Sequence, residues 1–93
     1  MLTEAAVREA TPLRRPWKVS DGRGLYLMIA PTGGCYWRYN YRFEGKQKTV
    51  ALGIYPDVSL ERARERHQRA RELLADGIDP SEERFALRGR PRI

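Results

Sequence analysis

The chain has 93 residues, with 18 Lys plus Arg against 12 Asp plus Glu, a net charge of +6 and a pI near 10.0. That length holds one small domain burying roughly two-thirds of its unfolded-chain surface, and the basic balance favours a polyanionic partner, with an acidic membrane surface as the lesser option. The lone Cys35 excludes an internal disulfide, the polar start is no leader sequence, and no run reaches the ~20 apolar residues of a membrane span, so a cytoplasmic protein is expected.

Leu2 to Ala10 reads as a short helix, with Thr3 as N-cap, Glu4 in the first turn and an apolar stripe of Leu2, Ala6, Val7 and Ala10. Pro12 stops it. Arg14, Arg15 and Lys18 then form a basic connector around Pro16 and Trp17, which serves either as a solvated loop or as a contact to a phosphate backbone. Ser20-Asp21-Gly22-Arg23-Gly24 is a turn cluster. It is not a dinucleotide fingerprint, because the third glycine is missing and a strand follows.

Leu25 to Pro56 reads as a meander of three strands. In the segment from Tyr36 to Phe43, alternation sets Trp37, Tyr39, Tyr41 and Phe43 on one face and Tyr36, Arg38, Asn40 and Arg42 on the other. A two-residue turn at Glu44-Gly45 places Phe43 opposite Lys46, Tyr39 opposite Val50 and Trp37 opposite Leu52. Arg42, Asn40 and Arg38 then face Gln47, Thr49 and Ala51, so apolar meets apolar and polar meets polar or small. An odd loop at Thr32-Gly33-Gly34 brings Leu25, Leu27 and Ile29 onto the Trp37 face, with Ile29 opposite Trp37 and Leu27 opposite Tyr39. The remaining face collects Tyr26, Met28, Tyr36, Arg38, Asn40, Arg42, Gln47 and Thr49, a poor core and a good surface for polar recognition.

A long helix follows, roughly Leu60 to Asp76, capped by Ser59 and ended at Gly77-Ile78, with Asp79-Pro80 preventing continuation. Leu60, Ala63, His67, Ala70, Leu73 and Leu74 recur at helical spacing and face the sheet, where the large rings fill the space left by small alanines. Arg62, Arg64, Arg66, Arg69 and Arg71 alternate with Glu61, Glu65 and Glu72 on a face read as solvated and laced by i,i+4 pairs. His67, the single histidine, lies on the apolar stripe and is expected to be a hydrogen-bonded core residue. With no nucleophile beside a histidine, no paired carboxylates and no metal-ligand spacing, neither catalysis nor a cofactor is expected of this chain.

Arg pairs bidentately with guanine, and Asn or Gln with adenine, in a major groove that also admits a β-ribbon. On spacing alone, Arg38, Asn40, Arg42 and Gln47 fit this role and a plain solvated face equally well. The ordered set Leu2-Thr3 through Val7-Arg8, Asp21-Gly22-Arg23-Gly24-Leu25-Tyr26-Leu27, Trp37-Arg38-Tyr39 with Tyr41-Arg42, Leu52-Gly53-Ile54-Tyr55-Pro56, Ser59-Leu60 with Ala63-Arg64, and Gly77-Ile78-Asp79-Pro80 resembles the N-terminal arm-binding domain of P4-like phage and genomic-island tyrosine integrases. The resemblance implies an α+β fold, a three-stranded antiparallel meander packed on a C-terminal helix with a short N-terminal helix. It also implies an arm-type, double-stranded DNA-binding domain over 1–80, with 81–93 as a linker or tail, whose open sheet face enters the major groove. The family's tyrosine nucleophile lies in a separate catalytic domain. Arg38, Asn40, Arg42 and Gln47 are the expected base readers, with Tyr26, Met28 and Tyr36 on the same face. Thr49, Lys46, Lys48 and Arg15 are the expected phosphate contacts. The competing expectation is a protein-interaction module that assembles recombinase subunits through the charged helix face or the Tyr26, Met28 and Tyr36 patch.

Overall fold

The alternation that begins at Leu25 in the sequence extends further toward the N-terminus in the folded chain. In the computed structural model, which describes residues 1–82, α1 (Glu4–Glu9) precedes four strands: β1 (Trp17–Gly22), β2 (Leu25–Ile29), β3 (Cys35–Phe43) and β4 (Lys46–Tyr55). Then come α2 (Leu60–Ala75) and a 3-10 turn at Pro80–Glu82. The strands make one antiparallel sheet in the order β1-β2-β3-β4. The class is α+β as expected, but the three-stranded meander is corrected to four strands, because part of the presumed basic connector pairs with β2. Trp17 and Val19 alternate with Lys18 and Ser20, a short period of two that Arg14-Arg15-Pro16 obscures in the sequence. Of the expected linker or tail at 81–93, residues 83–93 lie outside the described residues.

The β3–β4 register agrees with expectation from Phe43 and Lys46 through to Arg38 and Ala51. Glu44 and Gly45 both take positive φ, 52° and 79°, the primed turn geometry whose twist matches the flanking strands. Past Arg38 the ladder departs: Trp37 faces Gly53 rather than Leu52, because a bulge adds a residue to β4. Gly53 has φ 134°, and a Cβ there would stand 2.3 Å from Val58 Cγ2, so this position needs glycine. Between β2 and β3, Trp37 faces Leu27 rather than Ile29, and Tyr39 faces Leu25 rather than Leu27. The loop starts one residue early, at Pro31-Thr32-Gly33, since Gly33 (φ 102°) takes the left-handed position and Ala30 N–H bonds the Gly34 carbonyl at 2.8 Å. A shift of two residues keeps every side chain on its expected face.

The inner face buries Leu25, Leu27, Ile29, Trp37, Tyr39, Tyr41, Val50 and Leu52 against Leu60, Ala63, Ala70 and Leu73 of α2 and Val7 of α1. Leu74, the last member of the expected stripe, is half-buried. Ser59 Oγ accepts Arg62 N–H, and the C-terminus closes with Ile78 N–H on the Leu73 carbonyl and Gly77 N–H on the Leu74 carbonyl, each at 2.9 Å. Thr3 likewise caps α1 by accepting Ala6 N–H.

His67 is buried in this core, its ring edge-on to Tyr39 at 4.6 Å. Its Nε2 lies 3.0 Å from the Arg23 carbonyl, which only accepts, so Nε2 carries the proton and donates. Burial holds the imidazole below its usual pKa near 6.5. A histidine kept neutral in the fold but free to protonate when unfolded contributes stability above the unfolded pKa that is lost as pH falls toward the folded one. The domain is therefore expected to lose up to about 1.4 kcal/mol per pH unit below pH ~6.5. Urea unfolding from pH 7.5 to 5 checks this, and His67→Gln, which still donates to Arg23, is expected to flatten the slope.

Candidate nucleic-acid interface

The sheet's other face, turned away from α2, is set by register. Lys18, Met28, Tyr36 and Ile54 make one row across the strands, and Ser20, Tyr26, Arg38 and Ala51 the next. Asn40 pairs with Thr49, and Arg42 with Gln47. β2 ends opposite Tyr39, and Asn40 N–H still bonds the Gly24 carbonyl just ahead of it at 2.9 Å, so the two-stranded ribbon that projects beyond carries Arg42 and Gln47, with Asn40 and Thr49 at its base. None of these outward side chains is acidic, and Lys18, Arg38 and Arg42 are cationic.

Local contacts hold several of them. Thr49 Oγ1 donates to Asn40 Oδ1 at 2.7 Å, which leaves the Asn40 amide N–H groups pointing away from that bond. The Arg38 guanidinium lies 5.7 Å from the Tyr36 ring centre, and the Lys18 ammonium 5.0 Å from that of Tyr26, both within cation–π reach. Tyr26, Met28, Tyr36, Arg38 and Asn40 are half-buried in their rows, while Arg42, Gln47 and Thr49 are exposed.

The predicted phosphate contacts do not stay together. Lys48 pairs with Tyr41 and stands on the reverse of the ribbon, where its ammonium is bound to Asp79. Its place with Thr49 is thus corrected: strand parity turns it inward, and a buried acid that the sequence placed only in a helix stop holds it there. Lys46 ends the hairpin opposite Phe43 and is exposed, as is Arg15 in the segment ahead of β1.

Asp79 is the post behind the ribbon. It accepts from Tyr41 Oη and Lys48 Nζ, and from Ser81 N and Oγ at 3.0 and 2.9 Å. Burial alone would raise its pKa, but the bonds from Lys48, Tyr41 and Ser81 outweigh it and hold the carboxyl well below the usual range. The same bond raises the Lys48 ammonium, and burial followed by the Asp79 bond raises Tyr41.

A second buried acid fixes the opposite edge of the sheet. The ladder shifts between Ser20 and Gly22, and this bulge leaves Asp21 buried at the end of β1. There Arg64 grips it through Nε at 2.9 Å and Nη2 at 2.8 Å, and Nη2 also reaches the Leu2 carbonyl at 2.8 Å. Leu2 N–H donates to Asp21 at 2.7 Å. Burial pushes the Asp21 pKa up, but the Arg64 and Leu2 bonds bring it below its ordinary value. Arg66 reaches the Leu52 carbonyl at 2.7 Å, so two arginines of the supposedly solvated face are tied into the fold. The surface pairs Arg62–Glu65 and Arg69–Glu72 are spaced i,i+3 rather than the expected i,i+4.

A family model described as an arm DNA-binding domain matches residues 2–86. The chain belongs to this family. The resemblance read from the ordered motifs is thus borne out, and the arm domain has curated relatives among integrases. It is 40% identical over 81 residues to the integrase of Enterobacteria phage P4, covering 85% of this chain and 18% of that one. It is 38% identical over 84 residues to prophage integrase IntZ of Escherichia coli (strain K12), covering 88% and 21%. With putative protein IntB of the same strain it shares 50% identity over 60 residues, 64% and 15% of the two chains. The arm domain thus spans about a fifth or less of the length of these relatives.

Sequence reasoning missed Ser20 and Ile54 on the outer face and left Lys18 in a connector. The Trp-Lys-Val-Ser alternation carried the signal for Lys18 and Ser20. Ile54 carried none, because the bulge reverses its face. Among the described residues no helix is long and apolar enough to cross a membrane.

Proposed function

We propose that the arm domain holds a longer tyrosine integrase on arm-type sites in double-stranded DNA, with the outer sheet face in the major groove. The observation that carries this is the outer face of β3 and β4: Arg38 on the four-stranded part, Asn40 and Thr49 at the base of the ribbon and Arg42 and Gln47 on it point outward, with no acidic side chain on a strand position of β3 or β4. A two-stranded ribbon is a size that the major groove of B-DNA admits. Arg38, Asn40, Arg42 and Gln47 serve as base readers, with Tyr26, Met28 and Tyr36 beside them. Thr49 orients Asn40 and contacts the backbone, and Lys46, Arg15 and Lys18 are the flanking phosphate contacts. Lys48 is withdrawn from this set, since Asp79 holds it behind the ribbon. Integration or excision belongs to the whole recombinase, and other integrase subunits are partners of that assembly.

The test is a titration of labelled duplex from the flanks of the parent element at low and moderate salt. Binding that falls steeply with salt yet keeps a sequence preference is expected. Concentration-dependent self-association with no DNA shift would instead support a subunit-assembly module. Arg38→Ala is expected to cost about 1 to 3 kcal/mol and to relax specificity at one position. An equal loss on every sequence would make Arg38 a phosphate contact.

A further inference from the structure

The outer face is not uniform. Its ribbon end is polar, but its opposite end, around the Lys18 row, is apolar: Met28, Tyr36 and Ile54 lie side by side with Ala51 one row away. Ile54 is 51% exposed, an unusual position for an isoleucine in a strand. The β4 bulge puts it there, because an unbroken ladder would turn Ile54 inward with Leu52. Gly53, Val58 and Arg38 help to wall a hollow of 420 Å³ beside this row.

We propose that this apolar end reads thymine C5-methyl groups, which the major groove alone displays and which apolar side chains recognise. The assignment rests on the DNA-binding reading above and adds a substrate feature to it: an arm site with A·T pairs under the Met28–Tyr36–Ile54 end. Charge selects DNA over a protein as the occupant. Lys18 flanks the row on one side, Arg38 lies over Tyr36, and the exposed Arg14 and Arg15 precede β1 at this same end, where Trp17 pairs with Ile29. Among the described residues Asp57 is the one acid lining the hollow, at its β4 edge, and the cations on the β1 and β3 sides outnumber it, which suits a methyl group carried on a polyanion. Outward residues of one strand recur every ~6.7 Å, about two base-pair steps. With β3 along the groove, the methyl contacts therefore fall about two base pairs beyond the Arg38 contact, on the side away from Arg42.

The experiment uses this chain and a duplex selected by it from a randomised pool, with each dT replaced in turn by deoxyuridine, which lacks only the methyl group. The expected result is about a fourfold loss of affinity at one or two positions at one end of the site, the worth of one methyl group taken out of water. Ile54→Thr is expected to abolish the dT–dU difference at one of these positions, Ile54→Val to retain it, and Arg42→Ala to leave it unchanged while weakening binding overall. Equal affinity for dT and dU throughout a selected, sequence-preferred duplex overturns the methyl-reading assignment and leaves DNA recognition standing. Failure to enrich any duplex overturns both.

Discussion

Trp37→Ala is expected to destabilise the domain by about 3 to 5 kcal/mol, the cost of deleting a large buried ring. A chain of this length has roughly 5 to 14 kcal/mol in total, so the variant is expected to lose a large share of its stability and to unfold at a much lower urea concentration. The ring is fully buried on the inner face of β3, and lies edge-on to Tyr55 at 6.5 Å. Its Nε1 also donates to the Val58 carbonyl at 2.7 Å, fastening the segment between β4 and α2 to the sheet. Trp37→Phe separates the two contributions, since it keeps most of the apolar volume and orphans the buried carbonyl, a loss of about 1 to 3 kcal/mol. Urea midpoints followed by far-ultraviolet circular dichroism check both. A native midpoint for Trp37→Ala would show that the ring contributes little to the core.

That Trp37 lies inside was legible because the period of two is insensitive to the register errors. The Leu27 and Ile29 pairings were off by two residues, which moves partners along a strand but never across the sheet. The helix stripe and both caps were legible for the same local reason, since each depends on residues within one turn. The first strand was not, because only Trp17 and Val19 mark its inner face and a proline precedes it. A strand so short gains its stability from pairing with β2, a non-local cause that no local pattern reports.

At the candidate site, what could be read was the Arg38, Asn40 and Arg42 alternation. What could not were the two bulges. One leaves Asp21 in the interior and the other turns Ile54 out of it. Charge misled in the same way at Lys48 and Arg64, which look like surface cations until the buried acids opposite them are known. Asp79 and Asp21 sit in turn-forming sequences, where aspartate is usually explained by turn chemistry alone. Their side chains instead anchor the two ends of the domain to the sheet.

Arg64→Ala tests one of these anchors. It leaves the Asp21 carboxylate, 6% exposed, with only the Leu2 amide. Removing one partner of a buried pair costs about 3 to 5 kcal/mol, and the partial exposure of Arg64, 37%, places the expectation at the low end. The pH dependence distinguishes an orphaned charge from lost packing. In the wild type the Asp21 pKa is depressed, so its contribution is present above the usual carboxylate pKa and is lost only as pH falls through the lower folded value. In Arg64→Ala, burial acts without the guanidinium to oppose it, the folded pKa rises, and the penalty is relieved as pH falls through it. The gap in unfolding free energy between the two proteins is therefore expected to narrow from pH 7 toward pH 4. A gap independent of pH would mean that the Arg64 stem matters through packing alone. Asp21→Ala combined with Arg64→Ala is expected to be less destabilised than the sum of the single variants, because it buries no unpaired charge. Arg64 also holds Leu2 beside the end of β1, so the single variant is expected to loosen the edge strand that carries Lys18 and Ser20. Weakened DNA binding with unchanged preference at the Arg38 position would follow from a disturbed flank behind an intact ribbon.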